Sequence, residues 1–146
     1  MMSILVLNGP NLNLLGRREP DIYGSADLEF IEGLCRKRAE ELGTRVEFRQ
    51  SNHEGELVDF IQSAPKDHLG LILNAAAYTH TSVALADAIK AIEIPAIEVH
   101  MSNIYNREPF RKHSYLSAVA VGSICGFGPK VYVLALDAMV SILNSE

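Results

Sequence analysis

Short apolar runs alternate along this chain with segments whose apolar residues recur at helical spacing, and that alternation restricts the fold more than any other feature. Ser3–Leu7 and Leu69–Leu73 carry no charged side chain, as strands buried on both faces require. Thr44–Arg49 reads as a strand between them, and Ala96–Val99 as another behind Pro95. Between strands, Leu28, Ile31, Leu34, Cys35 and Leu42 make one apolar stripe of a helix that Ser25 can cap and Gly43 ends. Leu57, Phe60, Ile61 and Ala64 follow the i, i+3, i+4, i+7 rule on a second helix, which Pro65 is expected to stop. Ser82–Ile92 reads as a third helix, Ala118–Ile124 as a fifth strand, and about 130–144 as a final helix.

Strict alternation of this kind predicts a parallel, doubly wound α/β sheet with right-handed crossovers. Five strands fit the flavodoxin-like order 2-1-3-4-5. The last crossover is too short for a full helix. At 146 residues the chain has the size of one domain. An apolar fraction of 48% with 21% charged residues is ordinary for a globular protein.

A net charge of −5 argues against nucleic acid as a partner. The densest basic stretch, Arg36-Lys37-Arg38, lies beside Glu40 and Glu41 on the first helix and reads as a solvated face. No apolar run approaches the ~20 residues that cross a bilayer. The start of the chain lacks a charged segment or a small-residue cleavage site, so a cytoplasmic location is expected. Cys35 and Cys125 form neither a disulfide framework nor a metal-ligand spacing, and two buried free thiols are expected.

Four polar clusters sit just past strands: Asn8-Gly9-Pro10-Asn11-Leu12-Asn13, Gln50-Ser51-Asn52-His53-Glu54-Gly55, Asn74 with Tyr78-Thr79-His80-Thr81, and His100 with Ser102-Asn103. Ligands of open α/β sheets bind beyond the carboxyl ends of the strands, so these clusters outline a site. Phosphate-cradling glycine motifs are absent, and Pro10 removes an amide donor where a cradle would need one. A flavin or nucleotide module of the same fold class is the rival reading, and it lacks that cradle.

Glu98 and His100 are two apart in a strand and so share a face. A carboxylate beside an imidazole fixes its tautomer and favours the charged ring that a general acid needs. A structural ion pair is the alternative for any one such pair; the place of His100 at the site edge favours chemistry. The loop 9–25 holds Arg17, Arg18 and Tyr23 among Leu12, Leu14 and Leu15, a composition suited to a lid. Bringing a tyrosine from about 10 to about 7 needs roughly 4 kcal/mol, much of which one close arginine in a dry pocket can supply. Packing plus a solvated charge is the other account of that pair. His53 and His80 fit no zinc spacing, and His68 and His113 are expected at the surface. Lys37, Lys66, Lys90, Lys112 and Lys130 all fall on polar faces or loops, which argues against imine chemistry.

Six stretches in order strongly resemble the type II 3-dehydroquinate dehydratases: Leu7–Gly16, Arg18-Glu19-Pro20 with Tyr23-Gly24, Gln50–Leu57, Ala77–Ser82, Glu98–Asn103 and Phe110–Ser114. The resemblance spans residues 4 to about 128. It implies dehydration of 3-dehydroquinate to 3-dehydroshikimate through an enolate, without cofactor or metal, for the shikimate pathway or quinate breakdown. By position, Tyr23 would be the base, as a tyrosinate stabilised by Arg18. Asn11 would hold a water on the enolate oxygen, and His100, oriented by Glu98, would protonate the leaving hydroxyl.

The same resemblance gives Asn74, the Ser102 hydroxyl and the amides of Met101 and Ser102 to the substrate carboxylate, and His80 and Arg111 to ring hydroxyls. Asp87 would reach a neighbouring subunit's site in trimers that assemble into dodecamers. Asn74-Ala75-Ala76-Ala77 stands where Asn-Pro-Gly-Ala or Asn-Pro-Ala-Ala is usual, so a less rigid turn is expected there. Asn52-His53-Glu54-Gly55 matches the family without an assigned role, and a helix start or subunit contact is expected of it.

Overall fold

The computed structural model describes residues 2–16 and 26–145. Its sheet has five parallel strands: β1 (Ser3–Asn8), β2 (Arg45–Gln50), β3 (Gly70–Asn74), β4 (Ala96–His100) and β5 (Gly122–Cys125). Their order is β2-β1-β3-β4-β5, as the alternation predicts. Three helices connect the first four strands, α1 (Leu28–Glu41), α2 (Glu54–Asp67) and α3 (Val83–Ala91), and α4 (Lys130–Asn144) follows β5.

Period-2 geometry sends alternate side chains of each strand to opposite faces. Ile4, Val6, Ile72, Ile97 and Val99 meet α1 and α4, while Leu5, Leu7, Leu71 and Leu73 meet α2 and α3. Both faces are therefore buried, which is why β1 and β3 read as unbroken apolar runs. Register brings Asn8 of β1 level with Gln50 of β2 and Asn74 of β3. The polar clusters thus leave the sheet at one edge.

Several boundaries differ from the sequence reading. Ser25 lies outside the described residues, and α1 is capped by Asp27, whose carboxylate accepts from the Phe30 amide at 2.8 Å. An aspartate both closes the orphan amide and complements the helix dipole, so it takes the cap. Pro65 does not stop α2, which runs on to Asp67. A proline in the last turn removes only one backbone hydrogen bond, and the His68 amide restores closure on the Ala64 carbonyl at 2.9 Å. The fifth strand is shorter than Ala118–Ile124. Residues 118–121 turn instead, because the Val119 and Ala120 amides both bond the Leu116 carbonyl at 3.0 Å.

His68 is not a surface residue. Its Nδ1 lies 2.9 Å from the Ser3 hydroxyl and its Nε2 2.7 Å from Glu47, tying α2 to the amino edges of β1 and β2. Cys35 is buried, which pushes its thiol up to about 12, whereas Cys125 is only half-buried. Arg36 and Arg38 do form a solvated face, paired with Glu32, Glu41 and Asp137. Among the described residues no helix is long and apolar enough to cross a membrane.

Candidate active site

A pocket of about 590 Å³, counting its open mouth, lies beyond the carboxyl ends of β1, β3 and β4. Asn11, Asn74, His80, His100, Met101 and Ser102 all line it, together with Arg111. Seven of the eleven residues nominated from sequence therefore meet at one place. Glu98 stands directly behind His100; Asp87 sits on the exposed face of α3, outside this lining. Arg18 and Tyr23 lie outside the described residues.

The Glu98–His100 pair is the most buried charged feature of the site, at 1% and 4% exposure. His100 Nε2 donates to Glu98 at 2.7 Å, which leaves Nδ1 for a ligand. Burying a carboxylate is costly unless donors surround it. Here Ser114 and Ser117 donate to it at 2.6 and 2.8 Å. The direction of the Ser114 bond is fixed, since its oxygen already accepts the Leu116 and Ser117 amides and its proton is left for Glu98. Burial alone would push the Glu98 carboxyl up; the bonds from His100 and the two serines outweigh it and hold the group below the usual carboxylate range. The short last crossover explains why this is possible. A turn carrying serines covers Glu98 where an apolar helix face would offer no donor.

His80 lies on a one-turn 3-10 helix, Ala76–His80, after β3. Its ring stacks on His100 with centroids 6.2 Å apart and planes 24° from parallel. His80 Nδ1 donates to the His113 carbonyl at 2.7 Å, so in the neutral ring Nε2 is an acceptor. Partial burial first, then the neighbouring His100 and Arg111, hold its pKa below the ordinary histidine value against the opposing pull of the His113 carbonyl.

Asn11 has a left-handed backbone, φ 68°, a conformation that asparagine tolerates better than most residues. Its amide nitrogen donates to Asn52 Oδ1 at 3.0 Å, while its side chain makes no hydrogen bond among the described residues. Gln50 bonds the Gly9 carbonyl and Asn52 Oδ1, both at 3.1 Å, and Tyr78 donates to the Asn52 carbonyl at 2.8 Å. The second polar cluster therefore has two jobs. It starts α2 at His53 and braces the loop that presents Asn11.

Sequence reasoning missed four contributors. Arg107 lines the pocket and donates to the Ser102 hydroxyl at 3.3 Å; with Arg111 it puts two guanidinium groups around the cavity. Its position in a polar loop gave no periodic signal. Ser114 ends the stretch Phe110–Ser114 without an assigned role, and Ser117 lies in the turn before β5. Tyr132 is buried among the apolar residues of α4, yet its hydroxyl touches Asn74. Among the described residues no group of three or more His, Cys, Asp or Glu side chains is placed to hold a metal ion.

Comparison with known proteins agrees with this geometry. Residues 2–140 match the sequence profile of the family described as dehydroquinase class II. The 3-dehydroquinate dehydratase of Azorhizobium caulinodans is 61% identical over 139 residues, covering 95% of this chain and 94% of that protein. The one from Trichodesmium erythraeum is 55% identical and covers 100% of this chain and 97% of its own length. The solved type II dehydroquinase of Propionibacterium acnes superposes with a TM-score of 0.93 at 44% identity, covering 97% of both chains. Profile, relatives and fold coincide over nearly the whole length, and the chain belongs to the class II dehydroquinase family.

Proposed function

We propose that this chain dehydrates 3-dehydroquinate to 3-dehydroshikimate by anti elimination through an enolate. The observation that carries the reading is the buried Glu98–His100 pair, with its free imidazole edge in a pocket that also holds two arginines. An anionic hydroxy acid suits such a cavity, and an imidazolium backed by a carboxylate suits protonation of a leaving hydroxyl.

Tyr23, as a tyrosinate stabilised by Arg18, takes the C2 proton. The electron pair moves onto the C3 carbonyl oxygen, and a water held by Asn11 stabilises the resulting enolate. Collapse of the enolate expels the C1 hydroxyl, which leaves as water with a proton from His100. The unengaged side chain of Asn11 at the pocket supports its part. Asn74, the Ser102 hydroxyl and the amides of Met101 and Ser102 bind the carboxylate. His80, with Nε2 free to accept, and Arg111 bind ring hydroxyls.

Asp87 serves a neighbouring copy's site within trimers that build a dodecamer; its exposed place on α3 is compatible with that. The reaction belongs in the cytoplasm, to the shikimate pathway or to quinate breakdown. Tyr23→Phe and Arg18→Ala are expected to abolish turnover with the circular-dichroism spectrum unchanged. Near-normal rates in both would refute the assigned base.

A further inference from the structure

We infer that Tyr132, on α4 beneath the pocket, is a positioning residue that fixes which way the Asn74 amide faces. The inference rests on the proposed role of Asn74 as a carboxylate ligand and adds the device that makes Asn74 fit for it.

Tyr132 is fully buried, yet its hydroxyl joins two polar side chains at the carboxyl ends of β1 and β3. Asn74 Nδ2 donates to it at 2.9 Å, and it donates to Asn8 Oδ1 at 2.6 Å. Asn8 Nδ2 in turn donates to the Arg49 carbonyl at 3.1 Å, and Asn74 Oδ1 accepts from the Ala76 amide at 3.2 Å.

Amide orientations are ordinarily ambiguous, because oxygen and nitrogen look alike. Both ends of this chain are backbone groups with only one possible role. The Ala76 N–H can only donate, so Oδ1 of Asn74 faces it and Nδ2 faces Tyr132. An amide nitrogen can only donate, so the phenol accepts from Asn74 and must donate onward to Asn8. The Arg49 carbonyl can only accept, which closes the sequence without conflict. Burial pushes the Tyr132 phenol well above its usual range despite the bond from Asn74, so it stays protonated and keeps this polarity. The remaining hydrogen on Asn74 Nδ2 is then a donor with a fixed direction. A flipped Asn74 would offer a carboxylate its carbonyl oxygen instead, a repulsive contact.

Removing the phenol leaves Asn74 Nδ2 and Asn8 Oδ1 without this partner in a buried setting, and the 3.2 Å bond from the Ala76 amide alone then holds the Asn74 amide against turning. With 3-dehydroquinate as substrate, Tyr132→Phe is expected to raise KM about tenfold and change kcat less than threefold, the pattern of lost uniform binding. Asn74→Ala should raise KM at least as far. The double variant should be no worse than Asn74→Ala, since Tyr132 acts through Asn74. Tyr132→4-aminophenylalanine, which keeps a donor and an acceptor in the same volume, should restore most of the loss. Tyr132→4-fluorophenylalanine fills the hydroxyl's space without donating and serves if the phenylalanine variant does not fold; it should match that variant's expected KM.

A purely structural Tyr132 would lower the melting temperature and leave KM unchanged, which would overturn the inference. Additive losses in the double variant would overturn it too. If Asn74→Ala has a normal KM, the carboxylate role of Asn74 falls and the inference with it. If Asn74→Ala is impaired and the Tyr132 variants are not, the inference alone falls.

Discussion

The imidazoles of His80 and His100 lie 6.2 Å apart, nearly parallel, and are held by opposite partners: a backbone carbonyl on His80 Nδ1 and the Glu98 carboxylate on His100 Nε2. Burial, then the neighbouring His100 and Arg111, disfavour the charged form of the first ring against the pull of its carbonyl partner. The second ring is hydrogen-bonded to a buried carboxylate.

The His80 arrangement has a consequence for stability. Its proton affinity is lower in the fold than the 6.5 of an unperturbed histidine, so the unfolded chain binds more protons below that pH. Stability should therefore decline as pH falls through about 6.5, and His80→Asn should flatten that decline. Glu98 adds a second loss at lower pH. Its carboxyl sits below the usual 4.5, so its contribution is full above that value and disappears as pH falls through the lowered folded value. Urea midpoints measured from pH 8 to well below 4.5 read both; a rise in stability on acidification through 6.5 that His80→Asn removes would contradict the assignment.

Ser114 and Ser117 make Glu98 tolerable inside the protein. Ser114→Ala takes a donor from a buried carboxylate and should cost roughly 1.5–3 kcal/mol of folding stability. It should also lower kcat, because Glu98 orients His100. His100→Ala, by contrast, should lose roughly a hundred- to ten-thousand-fold in kcat. Denaturant unfolding and steady-state rates on the same samples separate the two effects.

Gly9 faces the Ala75 backbone across the turns after β1 and β3, and Gly9 and Ala76, the residue after Ala75, answer to opposite substitutions. A Cβ on Gly9 would come within 2.5 Å of the Ala75 carbonyl oxygen, so Gly9→Ala should destabilise by roughly 1–3 kcal/mol. Ala76 is held at φ 52°, where a side chain costs about 1–2 kcal/mol. Ala76→Gly relieves that cost but loses chain entropy, for a net gain of about 0.5–1 kcal/mol. Equal unfolding midpoints for wild type and both variants would refute the strain.

The fold was legible because strands buried on both faces leave an unmistakable pattern, and Ile4–Leu7 and Leu71–Leu73 have it. Element ends were less legible. Asp27 caps α1 and Pro65 fits a last helical turn, choices that depend on local hydrogen bonding. Within the pocket, His80, His100 and Asn74 could be found because they follow strands. Arg107, Ser117 and Tyr132 could not, since they enter from loop and helix positions whose spacing carries no signal. Tyr132 in particular spells core by periodicity, and only its hydroxyl's partners say otherwise.

The most direct test is to mix the purified, chelator-treated protein with 3-dehydroquinate and follow near-ultraviolet absorbance. Steady formation of the conjugated enone 3-dehydroshikimate without added metal or cofactor is expected, and its loss in His100→Ala. No conversion by the wild-type chain would contradict the proposed reaction.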